Sequence, residues 1–396
     1  MTPRVLIHVQ HLLGIGHLQR AAAIAGALQA RGAKVVLASG GARVPQVEAA
    51  LEQRGVEVVR LASARSADSS FSALLDESGN TVDTAWKTRR RDAVLKLFAE
   101  AAPDVLVTEM YPFGRRPFRF ELTPLLEAAR SRKNPPLIAC SVRDILVTKE
   151  KPGRAEEMAE AARRFYDLVL VHSDPKLIPF EATFPQAGAI QDLIRYTGYV
   201  TEAKAGNTDA DRSQGEILIS AGGGAVGGPL LLAAVAARSL SAARDRPWRL
   251  ITGGNLPQSD FERLQATAQG FAQGGFAPGG FIIERFRTDF KDLLARCGVS
   301  VSQGGYNTVL EILASRTPSV IVPFAEAGES EQTDRARLLH EKGLLRLLPA
   351  PELDAQRLAD EIDAASVMAI PPFTINLDGA RQSAALILDA LAKRAA

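Results

Sequence analysis

Short β-rich runs alternate with helical patterns from one end of the chain to the other, and that alternation leaves few folds open. Val5–Val9, Lys34–Ala38, Val56–Leu61, Val105–Thr108, Leu137–Cys140 and Leu168–Val171 read as strands. Helical patterns stand between most of them, at about Gly16–Ala30, Pro45–Gln53, Asp92–Ala101, Leu122–Ser131 and Arg154–Arg164. Strand–helix–strand repetition of this kind predicts an α/β protein with largely parallel sheets. A length of 396 residues suggests two such domains.

A second series supports that division. Glu216–Ser220, Trp248–Thr252, Gly280–Glu284, Gly298–Ser302 and Ser319–Val322 read as strands. The helices there are Pro229–Leu240, Asp260–Ala272, Asp289–Arg296, Thr308–Ala314 and Glu331–Glu341. The polar stretch Thr201–Gly215 lacks apolar periodicity and reads as a linker. We therefore expect Rossmann-like domains over residues 1–200 and 216–375, joined by 201–215. A last helix within 376–396, beyond Pro371-Pro372, is expected to pack back on the first domain. Ser63–Thr84 is long for a connection, and loops of that length are usually functional or mobile.

Composition excludes several classes. Apolar residues make up 46% and charged residues 23%, as in ordinary globular domains. A net charge of +2 argues against nucleic acid as a partner. Cys140 and Cys297 are the only cysteines, which excludes a disulfide framework or a thiolate zinc site. The N-terminal apolar run is interrupted at His8, too early for a signal peptide, and no apolar run is long enough to span a membrane. A cytoplasmic location is expected. The first 200 residues carry 27 basic and 22 acidic side chains, with Arg89-Arg90-Arg91, Arg115-Arg116 and Arg119 prominent. Singly these read as a solvated face; together they can attract an anionic acceptor or a membrane surface.

Three turns can carry chemistry. Gly14-Ile15-Gly16-His17 follows the first strand and opens a helix, where free N–H groups meet ligands at a sheet's carboxyl edge. His17 is the candidate base there, with Gly16, Glu109 and Asp144 as further candidates on the same side; His8 and His11 read as structural. Ser220–Gly228 contains Gly222, Gly223, Gly224 and Gly227, a Gly-rich turn able to cradle phosphates. No carboxylate ends the next strand, which disfavours a nicotinamide cofactor. Most specific is Gln303-Gly304-Gly305-Tyr306-Asn307-Thr308, followed by Glu311 one turn into its helix and by Glu331-Gln332 opening another. Asp209-Ala210-Asp211 lies in the linker and reads as solvated loop, so no metal is expected.

The series from Gln303 to Ala336 resembles the donor half of GT-B glycosyltransferases of the glycosyltransferase family 28 type, whose members include the enzyme completing lipid II. The Gly14–His17 turn resembles the acceptor half of that superfamily, including the nucleotide-sugar hydrolase of pseudaminic acid synthesis. This implies a GT-B fold, two Rossmann-like domains facing across a cleft that can close on the donor. It implies Glu311 as the ribose ligand, Glu331 and Gln332 as donor-sugar ligands, and Gly222, Gly223, Gly224, Gly304 and Gly305 facing the diphosphate. Asn307 and Thr308 would belong to the same helix start, and Phe286 falls where the family holds the nucleobase through backbone contacts. The family usually has Asn where Arg335 stands, so the resemblance leaves the identity of the donor sugar open.

The expected function is inverting, metal-independent transfer of a sugar from a UDP-sugar, a co-substrate rather than a cofactor, to a hydroxyl acceptor. The acceptor is expected to be anionic or membrane-associated, and the protein peripheral at the inner membrane face. His17 would be the general base, with an acidic limb in the rate profile near an ordinary imidazole value, about 6.5. Two alternatives stand beside it. One is a nucleotide-sugar hydrolase in which His17 activates water; the other is a non-catalytic nucleotide-sugar-binding regulator.

Overall fold

The alternation becomes two parallel sheets, each in its own compact unit. The computed structural model describes residues 2–12, 14–67, 73–146, 152–203, 212, 215–222, 227–272, 280–324 and 330–395. Unit 1 comprises Met1–Thr201 with Asn376–Ala396, and unit 2 comprises Glu202–Ile375.

Unit 1 runs β1 (Arg4–Val9), α1 (Gly16–Ala30), β2 (Lys34–Ser39), α2 (Pro45–Gln53), β3 (Glu57–Arg60), β4 (Arg65–Ser66), β5 (Leu74–Leu75) and α3 (Thr84–Ala101). It continues with β6 (Val105–Glu109), α4 (Arg119–Arg130), β7 (Leu137–Arg143), α5 (Arg154–Phe165), β8 (Leu168–His172) and β9 (Ile194–Tyr196). The main sheet has seven strands in the order β3-β2-β1-β6-β7-β8-β9. Strand order reverses between β1 and β6, and in open α/β sheets ligands bind outside the carboxyl ends of the strands at such a switch point. His8 pairs with Thr108 there, so the loops after β1 and β6 leave the sheet side by side.

Unit 2 runs β10 (Ile217–Ser220), α6 (Gly228–Ala237), β11 (Trp248–Ile251), α7 (Gln258–Ala272), β12 (Phe281–Glu284), α8 (Phe290–Arg296) and β13 (Val299–Ser302). It ends with α9 (Tyr306–Ser315), β14 (Ser319–Ile321), α10 (Glu331–Glu341), β15 (Arg346–Leu347) and α11 (Ala355–Ser366). Its sheet order is β12-β11-β10-β13-β14-β15, with the switch point between β10 and β13. Ser220 pairs with Ser302, which places the Gly222 turn beside the Gly304-Gly305 turn. Helix α12 (Gly379–Ala395) follows and packs on α1, β7 and β8 of unit 1, burying Ala384 and Ile387. An antiparallel bridge between Val200 and Asp378 closes this return.

Several boundaries differ from the sequence reading. Helix α3 starts at Thr84, not at Asp92, because Asp83 caps it by accepting from Trp86 N at 2.6 Å, a contribution of about 1 kcal/mol. Its arginines are not all solvated. Arg90 is 1% exposed, bonded to Glu121 and Gln10 and placed over the Trp86 ring. The polar stretch before α3 contains the small hairpin β4–β5. Strand β7 extends to Arg143, which carries Ser141 into the sheet.

Candidate active site

The carboxyl ends of β6, β7 and β8 each bring a polar side chain into the buried edge of unit 1. Glu109 ends β6 and pairs in register with Ser141 of β7, while His172 ends β8. These residues and His17, on the first turn of α1, form one continuous hydrogen-bonded row. His17 Nδ1 lies 3.1 Å from Glu109 Oε1. Ser141 Oγ donates to Glu109 Oε2 and lies 2.8 Å from His172 Nε2. His172 Nδ1 in turn lies 2.9 Å from Thr197 Oγ1.

Arg20, one turn beyond His17, fixes the charge of this row. Its Nε donates to Glu109 Oε1 at 3.0 Å, and Nη2 donates to the same oxygen. Burial pushes the Glu109 carboxyl up, but Arg20 and His17 outweigh it and hold the group far below the usual carboxylate range. Glu109 is therefore an anion at neutral pH. Arg20 Nη2 also approaches His17 Nδ1 at 3.0 Å. A nitrogen facing a carboxylate and a guanidinium donates to the carboxylate, which selects the Nδ1–H tautomer and leaves Nε2 as a bare base.

Burial, then the nearby Arg115 charge, lowers the His17 proton affinity well below the usual 6.5, against the opposing pull of Glu109. The expected acidic limb near 6.5 is thus corrected downward. His17 is neutral at pH 7, and its side chain is 17% exposed. Gly16 opens α1 immediately before it. Glu109 is 2% exposed and bonded to His17, Arg20 and Ser141. Asp144 is fully buried, and its charge raises the His172 proton affinity against the stronger effect of burial.

In unit 2 the Gly222 and Gly304-Gly305 turns lie at the second switch point, while Phe286 follows the edge strand β12 and Glu331-Gln332 follow β14. Gly304 has φ +79, and a Cβ there would stand 2.6 Å from Ile321 Cγ2, so only glycine makes this turn. Gly305 then caps α9, whose first turn presents Asn307 and Thr308. Glu311 follows with its side chain 16% exposed and Lys291 Nζ 3.8 Å away. Burial raises its carboxyl affinity for protons and Lys291 opposes that. Gly222 begins the neighbouring turn with φ +69; Gly223 and Gly224 lie outside the described residues, as do Asp209 and Asp211. Phe286 stands between β12 and α8 with 72% of its surface exposed.

Glu331 and Gln332 open α10 as expected, but both are engaged within the unit. Arg335 Nη2 donates to Glu331 Oε1 at 2.7 Å, and the guanidinium lies over the Tyr306 ring, 5.3 Å from its centroid. Gln332 Oε1 accepts from Phe324 N at 3.1 Å. Ser141, His172 and Arg20 were not singled out from sequence, although polar residues ending consecutive buried strands were a visible signal. Among the described residues no cluster of three or more His, Cys, Asp or Glu is placed to hold a metal, and no helix is long and apolar enough to cross a membrane.

Comparison with known proteins bears on the fold and on unit 2. Residues 256–371 match the glycosyltransferase family 28 C-terminal domain. A UDP-N-acetylglucosamine--N-acetylmuramyl-(pentapeptide) pyrophosphoryl-undecaprenol N-acetylglucosamine transferase from Rhodospirillum centenum is 32% identical over 111 residues, 28% of each chain. The enzyme of the same name from Azoarcus is 40% identical over 74 residues, 19% of this chain and 21% of its own. The similarity thus spans less than a third of these relatives' length. Acinetobacter baumannii MurG superposes with a TM-score of 0.60 at 15% identity, covering 99% of this chain and 100% of that one. The calicheamicin glycosyltransferase CalG4 does so with a TM-score of 0.59 at 15% identity, covering 100% and 97%. The resemblance read from Gln303 to Ala336 falls within the match to the glycosyltransferase family 28 C-terminal domain, and the two Rossmann-like units have the fold seen in GT-B glycosyltransferase structures.

Proposed function

We propose that the protein is an inverting glycosyltransferase that takes a sugar from a UDP-sugar bound by unit 2 and passes it to a hydroxyl compound bound by unit 1. The observation that carries this reading is the family 28 match. It contains Phe286, Gly304, Gly305, Asn307, Thr308, Glu311, Glu331 and Gln332, every donor-side candidate outside the Gly222–Gly224 turn.

In this reading Glu311 takes the ribose hydroxyls and the N–H groups opening α9 take the diphosphate, stabilising it as it leaves. His17 Nε2 removes the proton from the attacking hydroxyl while Glu109 holds the ring and stabilises the imidazolium. The Glu109 carboxylate, bonded to Arg20, Ser141 and His17, is poorly placed to act as a nucleophile itself. That favours a single displacement with inversion. Backbone N–H groups fill the role a metal takes in other transferases, so turnover should survive chelation with EDTA.

The test is incubation with a panel of UDP-sugars, with and without hydroxyl acceptors. Acceptor-dependent release of UDP with transfer of the sugar supports the proposal. Release at full rate without an acceptor would identify a hydrolase, and tight UDP-sugar binding without turnover under any condition would identify a regulator.

A further inference from the structure

Two polar groups at the switch point of unit 1, His11 Nδ1 and Arg115 Nε, are buried without a hydrogen-bond partner among the described residues. His11 is 3% exposed on the loop after β1. Its Nε2 donates to the Ala42 carbonyl at 3.0 Å, which leaves Nδ1 a bare lone pair, buried and without a hydrogen-bond partner. The ring cannot swing away easily, since it lies on Gly41 so closely that a Cβ there would be 2.3 Å from His11 Cε1. Arg115 stands on the adjacent loop, after β6. Its backbone is left-handed at φ 59, a costly conformation for a non-glycine residue and one that recurs at ligand-binding sites. Its Nε is buried without a partner, and its side chain makes no ion pair or hydrogen bond among the described residues.

The charges around Arg115 do not neutralise it. Glu109 is the anion whose charge acts on it, and Arg20 already occupies that carboxylate. Arg143 and Arg20 add positive charge, and burial with that repulsion lowers the Arg115 affinity only to about 10, so it remains a cation. Its field reaches both His11 and His17, lowering the proton affinity of each, with Glu48 the opposing charge at His11. A half-buried cation that has no counter-ion among the described residues costs the fold stability that an anionic ligand would restore.

We propose that Arg115 and His11 form a recognition subsite for a co-substrate that carries an anionic group with a hydroxyl beside it. The anion, a carboxylate or a phosphate monoester, takes the Arg115 guanidinium, and the hydroxyl donates to His11 Nδ1. The subsite holds the sugar acceptor next to His17 through a group that does not react. This rests on the reading of unit 1 as the acceptor side, and it names the class of acceptor: an acidic polyol or acidic sugar.

The test uses the whole protein, labelled with 15N-histidine and saturated with UDP so that the anion site of unit 2 is filled. Glycerol 1-phosphate and glycerate are titrated as probes, with glycerol as the uncharged control. At least one anion should move the His11 Nδ1 resonance from its bare-acceptor position, and the more effective of the two identifies the anionic group. Arg115→Gln should weaken that binding about tenfold or more, the scale of a lost charge-assisted bond, and should leave the melting temperature unchanged or higher. Arg115→Lys, which keeps the charge, should retain part of the affinity. The subsite is refuted if neither anion moves His11, if glycerol does so equally well, or if Arg115→Lys and Arg115→Gln both bind like the wild type. UDP affinity and His17→Ala turnover are measured separately, so failure of the transferase reading would appear there and not in the His11 titration.

Discussion

Glu109 Oε1 lies 3.1 Å from His17 Nδ1, although 92 residues separate the two in sequence. The contact exists because β1 and β6 are neighbours in the sheet, and α1 begins above the end of the strand that carries Glu109. One carboxylate therefore orients the imidazole, neutralises Arg20 and anchors a buried row of hydroxyl and histidine groups.

The first consequence is kinetic. His17→Ala should lower kcat by about 10²-fold or more, the usual loss with a general base, while UDP affinity measured by calorimetry stays the same. Glu109→Gln should lower kcat too, and should also destabilise the protein by about 3–5 kcal/mol, because Arg20 is left buried without its partner. The wild-type rate should hold as pH falls through 6.5 and decline only further down, since His17 is lowered by burial and Arg115.

A second expectation concerns protons that diffraction seldom shows. An ionised Glu109 can only accept, so Ser141 must donate to it, and Ser141 must then accept from His172 Nε2–H. His172 Nδ1 then faces the Thr197 hydroxyl, whose one proton is shared between it and the Gly198 carbonyl at 2.8 Å. His17 and His172 should thus be opposite tautomers, Nδ1–H and Nε2–H respectively. Nitrogen NMR on the resting protein checks this, and two rings in the same tautomer would show that the row runs the other way.

Nucleotide binding gives a third prediction. Glu311→Ala should weaken UDP binding by about 1–3 kcal/mol, as losing hydrogen bonds to a charged group does. Calorimetry on the folded variant is sufficient, and an unchanged affinity would remove Glu311 from the donor site.

Acid should weaken the fold earlier than carboxylates alone explain. His11, His17 and His172 are all lowered from 6.5, in each case chiefly by burial, and His172 reaches about 3. Below 6.5 the unfolded chain binds protons that the folded chain refuses, so stability is lost as pH falls. Each such histidine contributes a slope of up to about 1.4 kcal/mol per pH unit. Melting temperatures between pH 7 and pH 5 should fall, and His172→Gln should flatten that fall.

The sequence is most informative where chemistry is local. The Gly304-Gly305 turn, Glu311 one turn later and the Gly16-His17 helix start are each contained in a few residues, and their strand–turn–helix context follows from periodicity alone. Arg90 shows the opposite case. It sits between two other arginines on a polar segment, and only the fold brings Glu121, Gln10 and the Trp86 ring around it. Ser141 and His172 were hidden for a similar reason, since a hydroxyl or imidazole ending an apolar strand gains its meaning from the strand beside it. Arg335 was visible as a departure from the family, and its bond to Glu331 is an i,i+4 pair within α10, but its place over Tyr306 needed α9 and α10 to be placed side by side. The segment 342–375 shows no strong pattern to the eye, yet it forms β15 and the amphipathic α11.

The return of α12 to unit 1 bears on how the chain is made. Unit 2, Glu202–Ile375, interrupts unit 1 rather than following it. A ribosome therefore releases every strand of the seven-stranded sheet before the helix that covers part of it. Until residues 376–395 emerge, the apolar surface that Ala384 and Ile387 will cover on α1 and the neighbouring strands stays open. Unit 2 can close its own core during that interval, because its sheet lies within one continuous stretch. The later half of the chain is thus free to finish folding first, with the earlier half waiting for its last helix.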